Sequence, residues 1–188
     1  MPKKIVIAVT GASGSVYAKM LIDKLLSIKE EKIGISLIFS DNGEKVWDFE
    51  LGRINLKSTD LKIFKNDDFF APCASGSSDY EGMVIIPCTM GTLGRIASGT
   101  SDDLISRSAD VMLKERKKLI LVTRETPLNL IHIENMRKVT LAGGIIFPAS
   151  PSFYSKPESI DELLFTVVNR VIDLLQIKTN HFRWGEQL

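Results

Sequence analysis

Five short apolar runs set what this chain can fold into: Ile5-Val6-Ile7-Ala8-Val9, residues 33–39, Met83-Val84-Ile85-Ile86-Pro87, Leu119-Ile120-Leu121-Val122-Thr123 and Ile145-Ile146-Phe147. A strand wetted on one face alternates apolar and polar residues, whereas one covered on both faces reads as a continuous run. Between the runs lie helical stretches. Residues 16–27 carry Met20, Leu21, Leu25 and Leu26 as a core stripe, and residues 102–116 and 127–141 follow. Thr126 and Pro127 read as N-cap and first position of the 127–141 helix, and Gly143-Gly144 as its stop. Residues 159–175 form the closing helix, with Ile160, Leu163, Leu164, Val167, Val168, Val171 and Leu175 on its buried side. A short strand is expected at 61–64, a loop at 40–43 and a longer loop at 69–80. Strands alternating with helices predict an α/β fold: one domain over residues 1–188, a parallel sheet with helices on both faces in a Rossmann/flavodoxin-like three-layer sandwich. Residues 177–188 form a C-terminal tail whose Phe182 and Trp184 suit docking on a neighbouring subunit.

Bulk properties exclude several functions. The 188 residues hold 24 basic and 23 acidic side chains, a balance with no electrostatic footprint for nucleic acid or an anionic membrane. A bound phosphate must then be held locally, by a few placed cations. No segment approaches the ~18 consecutive apolar residues of a membrane span, and the run after Met1-Pro2-Lys3-Lys4 is too short for a signal peptide. The two cysteines, Cys73 and Cys88, lack metal-ligand spacing and suit a reducing compartment, so a cytoplasmic location is expected.

The chemistry gathers where strands end, which in open α/β sheets is where ligands collect. Arg124-Glu125 follows the run 119–123. A guanidinium keeps its charge and grips phosphate with a planar fork, while a carboxylate moves protons; the same pair also reads as a salt bridge closing a strand–helix turn. Gly11-Ala12-Ser13-Gly14 lets backbone N–H groups approach a phosphate at a helix N-terminus, or is a plain turn with Ser13 as helix cap. It matches neither Gly-x-x-x-x-Gly-Lys-Ser/Thr nor Gly-x-Gly-x-x-Gly, which favours a nucleotide of the flavin mononucleotide type over NAD. Ser40 caps a helix or donates to a ligand. Cys88-Thr89-Met90-Gly91-Thr92 follows another buried strand, and Cys88 has no nearby cation to make it a nucleophile. Arg107 and Lys114 share a helix face, where Asp103–Arg107 and Asp110–Lys114 also read as ordinary i,i+4 pairs. Tyr154 stands in the stiff loop Pro151-Ser152-Phe153-Tyr154. Arg170 interrupts an apolar helix face and needs an ion pair or a bound anion. His132 reads as a satisfied packing residue.

Gly11-Ala12-Ser13-Gly14, Pro87-Cys88-Thr89-Met90-Gly91-Thr92-Leu93, Ala109-Asp110-Val111 with Leu113-Lys114-Glu115-Arg116, Arg124-Glu125-Thr126-Pro127, Pro151-Ser152-Phe153-Tyr154 and Arg183-Trp184-Gly185 occur in this order. Together they resemble the UbiX-type flavin prenyltransferases over nearly the whole chain, most weakly between residues 43 and 67. The resemblance implies transfer of a dimethylallyl group from dimethylallyl phosphate to N5 and C6 of reduced FMN, without a metal. The prenylated FMN then serves a UbiD-type decarboxylase, and the enzyme is a homododecamer. It implies FMN contacts at Gly11, Ala12, Ser13, Ser40, Cys88, Thr89, Met90, Gly91 and Arg124. Donor phosphate falls to Arg107, Lys114, Arg124, Tyr154 and Arg170. Glu125 is implied as the acid–base residue, assisted by Ser13 and Glu50. Phe69-Phe70 stands where many relatives have Trp, Thr89 where Ser is usual, and Asp41-Asn42-Gly43 in place of a Lys-Ala-Ala pattern.

Two rivals share the expected fold. An FMN-dependent cysteine decarboxylase would need a catalytic His early in the chain and a Pro-x-x-x-Asn-Thr block; the two histidines here are His132 and His181, and the block is absent. A non-catalytic FMN carrier would need the glycine turn and Thr89–Gly91 but not the cations and Glu125.

Overall fold

Every neighbouring pair in the six-stranded sheet is parallel, in the order β3-β2-β1-β4-β5-β6. The computed structural model describes residues 3–185, so Met1, Pro2 and residues 186–188 of the expected tail lie outside the described residues. The chain runs β1 (Lys3–Val9), α1 (Ser15–Ser27), β2 (Ile33–Phe39), α2 (Asp41–Leu51), β3 (Leu61–Phe64), a 3-10 turn (Pro72–Ala74), β4 (Gly82–Cys88), α3 (Met90–Ala97), α4 (Leu104–Lys114), β5 (Lys118–Thr123), α5 (Leu130–Leu141), β6 (Ile145–Pro148) and α6 (Ile160–Leu174).

Side-chain alternation splits the core in two. Ile5, Ile7 and Val9 of β1, with Ile120 and Val122 of β5, face Leu21, Ile22 and Leu25 of α1 and Val167, Val168 and Val171 of α6; Trp47 of α2 joins them. Val6 and Ala8, with Leu119 and Leu121, face Leu93 of α3, Leu104, Ala109 and Met112 of α4 and Val139 of α5. The runs in β1, β2, β4 and β5 are therefore buried from both sides, as their sequence predicts, while that of the edge strand β6 is only half-buried.

Several local expectations are corrected. The 127–141 helix starts at Leu130, because Asn129 accepts the His132 N–H at 2.9 Å while the His132 ring accepts from the Asn129 N–H, a reciprocal cap. Thr126 and Pro127 belong to the preceding loop. Ser13 does not cap α1: Gly14 holds that position at φ 113° with no side-chain cap of its own. The 40–43 loop shrinks to Ser40, which accepts the Gly43 N–H at 3.0 Å and starts α2 at once. Ile160 is exposed, since the cluster beneath α6 begins only at Val167. The i,i+4 pairs on α4 do not form. Asp103 is spent on capping Ser106 and on Arg95, Arg107 pairs with Asp110 at i,i+3, and Lys114 turns to Glu115.

Gly43 sets how closely α2 approaches β1. A Cβ built there would lie 2.2 Å from the Val9 carbonyl oxygen and 2.9 Å from its carbon, and backbone cannot give way as a side chain can. Gly43→Ala is expected to cost roughly 1–3 kcal/mol in urea denaturation, the usual scale of overpacking. Gly91→Ala, whose Cβ would meet nothing nearer than Thr89 Oγ1 at 3.9 Å, is the matched control and should stay within about 0.5 kcal/mol of the parent.

Candidate active site

The strand order places the topological switch between β1 and β4, whose following segments lead to opposite halves of the sheet. Thr10 joins the two strand ends. Its buried hydroxyl donates to the Pro87 carbonyl at 2.7 Å and accepts the Thr89 N–H at 2.9 Å. No residue-level reading singled out Thr10; the available signal was a hydroxyl between a buried strand and its glycine turn. Gly11 packs on α2 so closely that a Cβ would lie 2.7 Å from Asn42 Cβ.

The helices after β1, β2 and β4 point their N-termini at this crevice, and they differ in charge. At α1, Glu50 takes the Gly14 N–H at 3.1 Å and the Ser15 N–H at 2.8 Å. Burial pushes the Glu50 carboxyl up, but the Ser13 hydroxyl and the two N–H groups outweigh it and hold the carboxyl below its ordinary range. Glu50 thus arrives from the weakly patterned segment to join Ser13. The second N-terminus, at α2, already carries Asp41 and Glu44 in its first turn. At α3, capped by Thr89, no acidic residue lies in the first turn. Thr89 Oγ1 accepts the Thr92 N–H at 3.1 Å. The Met90 and Gly91 N–H groups precede the first intrahelical acceptor, and Gly91 is exposed. A phosphate fits this donor set. Cys88 offers only backbone, because its thiol is fully buried and burial pushes it far up from its usual value.

Arg124 follows β5 on the same sheet edge, its N–H on the Cys88 carbonyl at 3.4 Å. Its charge reaches the Tyr17 phenol of α1, which burial raises and Arg124 lowers. The salt-bridge alternative for Arg124-Glu125 fails. Glu125 accepts the Thr126 N–H at 3.1 Å instead, and both side chains stand exposed.

The remaining expected cations are elsewhere. Lys114 ends α4, at the amino-terminal end of β5, so the six residues of that strand separate it from Arg124, about 20 Å at the usual rise. Arg107 Nε donates to the Ala74 carbonyl at 3.0 Å. Tyr154 and Arg170 line a cleft of about 820 Å³ beyond β6, together with Asp173, His181, Arg183 and Trp184. Arg170 is exposed rather than set in an apolar face, a correction that follows from its place on the outer side of α6. The described part of the tail folds back on its own chain, with Trp184 against Tyr154 at 4.9 Å between ring centroids. Phe69 lines a separate groove with Asp41, Glu44, Asp102 and Asp103, while Phe70 is fully exposed.

Glu50 gives a pH signature. Its folded pKa is depressed, so the stability it adds is present above the unfolded value, about 4.3, and is lost as pH falls through the lower folded value. Glu50→Gln should lower stability at pH 7 by about 1 kcal/mol, the ordinary worth of a helix cap. The gap between variant and parent, followed by urea denaturation, should close below about pH 4.

The flavoprotein family model matches residues 1–172. The flavin prenyltransferase UbiX of Methanocaldococcus jannaschii is 43% identical over 187 residues, covering 97% of this chain and 98% of that one. The crystal structure of AnUbiX (PadA1) in complex with FMN and dimethylallyl pyrophosphate superposes with a TM-score of 0.85 at 38% identity, over 97% of this chain and 100% of the other. A dodecameric FMN-dependent UbiX-like decarboxylase from Escherichia coli O157:H7 matches with a TM-score of 0.87 at 34% identity, over 97% and 99%. With the switch-point crevice and the residues converging on it, these similarities establish that the chain belongs to the UbiX flavin prenyltransferase family.

Proposed function

We propose that this chain moves a dimethylallyl group from dimethylallyl phosphate onto reduced FMN, giving prenylated FMN for a UbiD-type decarboxylase. The observation that carries the reading is the crevice between β1 and β4. The N-terminus of α3 carries no acidic residue in its first turn, Arg124 and Glu125 follow the adjacent β5, and Glu50 sits at the start of α1, two carboxylates in different settings. Bound there, reduced FMN supplies the nucleophilic N5 and C6 positions.

The residues divide the rest. Met90 and Gly91 N–H groups, with Thr89, take the FMN phosphate; Gly11, Ala12, Ser13 and Ser40 border the remainder, and Cys88 contributes backbone. Arg124, with Arg107, Lys114, Tyr154 and Arg170, holds the donor phosphate and stabilises the charge it gains as its C–O bond breaks. Protein cations do this work without a metal in the reading. Glu125, exposed and accepting the Thr126 N–H at one oxygen, gives a proton to the departing phosphate or takes one at ring closure. Glu50 is ionised at neutral pH and acts as acceptor, with Ser13 between it and the crevice. The cysteine decarboxylase reading gains nothing, since His132 is held in the α5 cap and His181 on Asp173.

Assembly belongs to the same proposal. Arg124 and Lys114 sit at opposite sheet edges, and among the residues of α5 only Val139 is buried, leaving Leu130, Ile131 and Leu141 bare. A homododecamer like that of the Escherichia coli relative would cover such a face and bring Lys114 of one copy to Arg124 of another. No helix among the described residues is long and apolar enough to cross a membrane, and a cytoplasmic site of action completes the proposal.

Anaerobic mixing with reduced FMN and dimethylallyl monophosphate, and in parallel the diphosphate, should yield a flavin heavier by one five-carbon unit. Glu125→Gln should bind FMN normally and turn over roughly 10²- to 10⁴-fold more slowly. Unmodified FMN with tight binding and either donor would move the reading to a flavin carrier. Co-expressing Lys114→Ala with Arg124→Ala, each inactive alone, should restore part of the activity. Persistent inactivity of the co-assembled protein would place both cations in one chain's site.

A further inference from the structure

Arg170 has company that the reaction has not yet used. One turn further along α6, Asp173 is a nearly buried carboxylate, its side chain 13% exposed. Its Oδ1 accepts from Arg183 Nη2 at 2.7 Å, and its Oδ2 meets His181 Nε2 at 3.2 Å and lies 3.7 Å from Arg170 Nη1. His181 Nδ1 is in turn 3.1 Å from Thr179 Oγ1. One carboxylate thus ties the chain after α6 to the helix and touches the guanidinium assigned to donor phosphate. The residue after Arg183 is Trp184, whose ring rests on Tyr154, the phenol assigned to the same anion.

Stability does not account for the Arg170 arm of this arrangement. The Arg170 side chain is 62% exposed, and ion pairs of that kind contribute about 0–1 kcal/mol. Orientation does account for it: Arg170 keeps its outer nitrogens toward the cleft while one side is held by Asp173. Among the described residues, the other carboxylate lining the cleft is Glu162, which accepts the Glu158 N–H at 2.7 Å. It stands two turns away along α6, about 12 Å by helix rise.

We propose that Asp173 is a positioning residue for the donor phosphate, fixing Arg170 directly and Tyr154 through Arg183 and Trp184, so that residues 179–184 form one wall of the donor site. The inference rests on the prenyltransferase reading. It assigns Asp173 to donor binding and not to the chemical step, nor to the FMN end.

Calorimetric binding of dimethylallyl monophosphate to the FMN-loaded protein tests it, because binding is read without turnover. In Asp173→Asn, donor affinity should fall about tenfold and KM should rise with it. At saturating donor, kcat should change less than KM, FMN affinity should stay within about twofold, and trypsin should cut after Arg183 faster than in the parent. Asp173→Glu should recover part of the loss. In an Arg170→Ala background the Asp173→Asn change should add less than it does alone, the mark of residues acting together. Should Asp173→Asn not fold, Arg183→Gln loosens the same tie and should weaken donor binding about threefold. Unchanged donor affinity in a folded Asp173→Asn protein, or a fall in kcat with KM fixed, overturns the assignment. A parent protein that binds the donor without transferring it sinks the prenyltransferase reading and leaves the positioning role standing. A parent that binds neither the monophosphate nor the diphosphate sinks both.

Discussion

The site depends on the Thr10 hydroxyl, which donates to the Pro87 carbonyl and accepts from the Thr89 N–H across the carboxyl ends of β1 and β4. In a parallel sheet all strands end on one edge, but only where consecutive connections turn to opposite sides does a crevice open. There the ladder stops, and Pro87 brings no N–H of its own; the register between β4 and β5 shifts between Ile85 and Cys88. A buried side chain that gives and takes one hydrogen bond closes that gap without needing water. It also fixes the distance between the glycine turn and the N-terminus of α3, the two walls between which a flavin would lie.

Charge then sorts the three helix N-termini at the crevice. Two like charges 4 Å apart repel by about 4 kcal/mol near a protein surface. The N–H groups of Gly14 and Ser15 are already committed to Glu50, and α2 opens with Asp41 and Glu44. A phosphate at either would meet a carboxylate, while at α3 it meets amides and the hydroxyl of Thr89. The glycine turn that most invites a phosphate in the sequence is in the structure the seat of a side-chain carboxylate. Its glycines serve close packing on Asn42 and a left-handed cap instead.

What the sequence made legible follows from the range of each interaction. Strand and helix identities were readable because burial on two faces marks every residue of a run. The start of α5 was not, because Thr126-Pro127 and Asn129 are both competent starts, and only the reciprocal Asn129–His132 bonds decide between them. Glu50 at Gly14 is a contact across 36 residues that no periodicity encodes, and only resemblance pointed to it. Arg170 misled for the opposite reason. Val171 beside it and the apolar face suggested burial, yet Val171 faces the core and Arg170 the cleft, because adjacent helix positions diverge by about 100°. Its partner Asp173 at i+3 was readable from that same geometry, whereas His181 and Arg183 come from a segment without helical period.

Placed on one chain, the expected donor ligands fall into separate groups: Arg124 at the crevice, Arg107 and Lys114 along α4, and Tyr154 with Arg170 beyond β6. A phosphate a few ångströms wide cannot touch ligands some 20 Å apart, so either most of these residues are ordinary surface cations or more than one copy builds the site. The local settings argue for the second. Among the described residues no carboxylate pairs with Arg124, whose charge reaches the Tyr17 phenol. Arg170 shares Asp173 with Arg183, and Tyr154 is braced by Trp184. Side chains braced before assembly, Arg170 by Asp173 and Tyr154 by Trp184, are what an anion site built from several subunits requires, since each part must keep its geometry without the ligand to organise it.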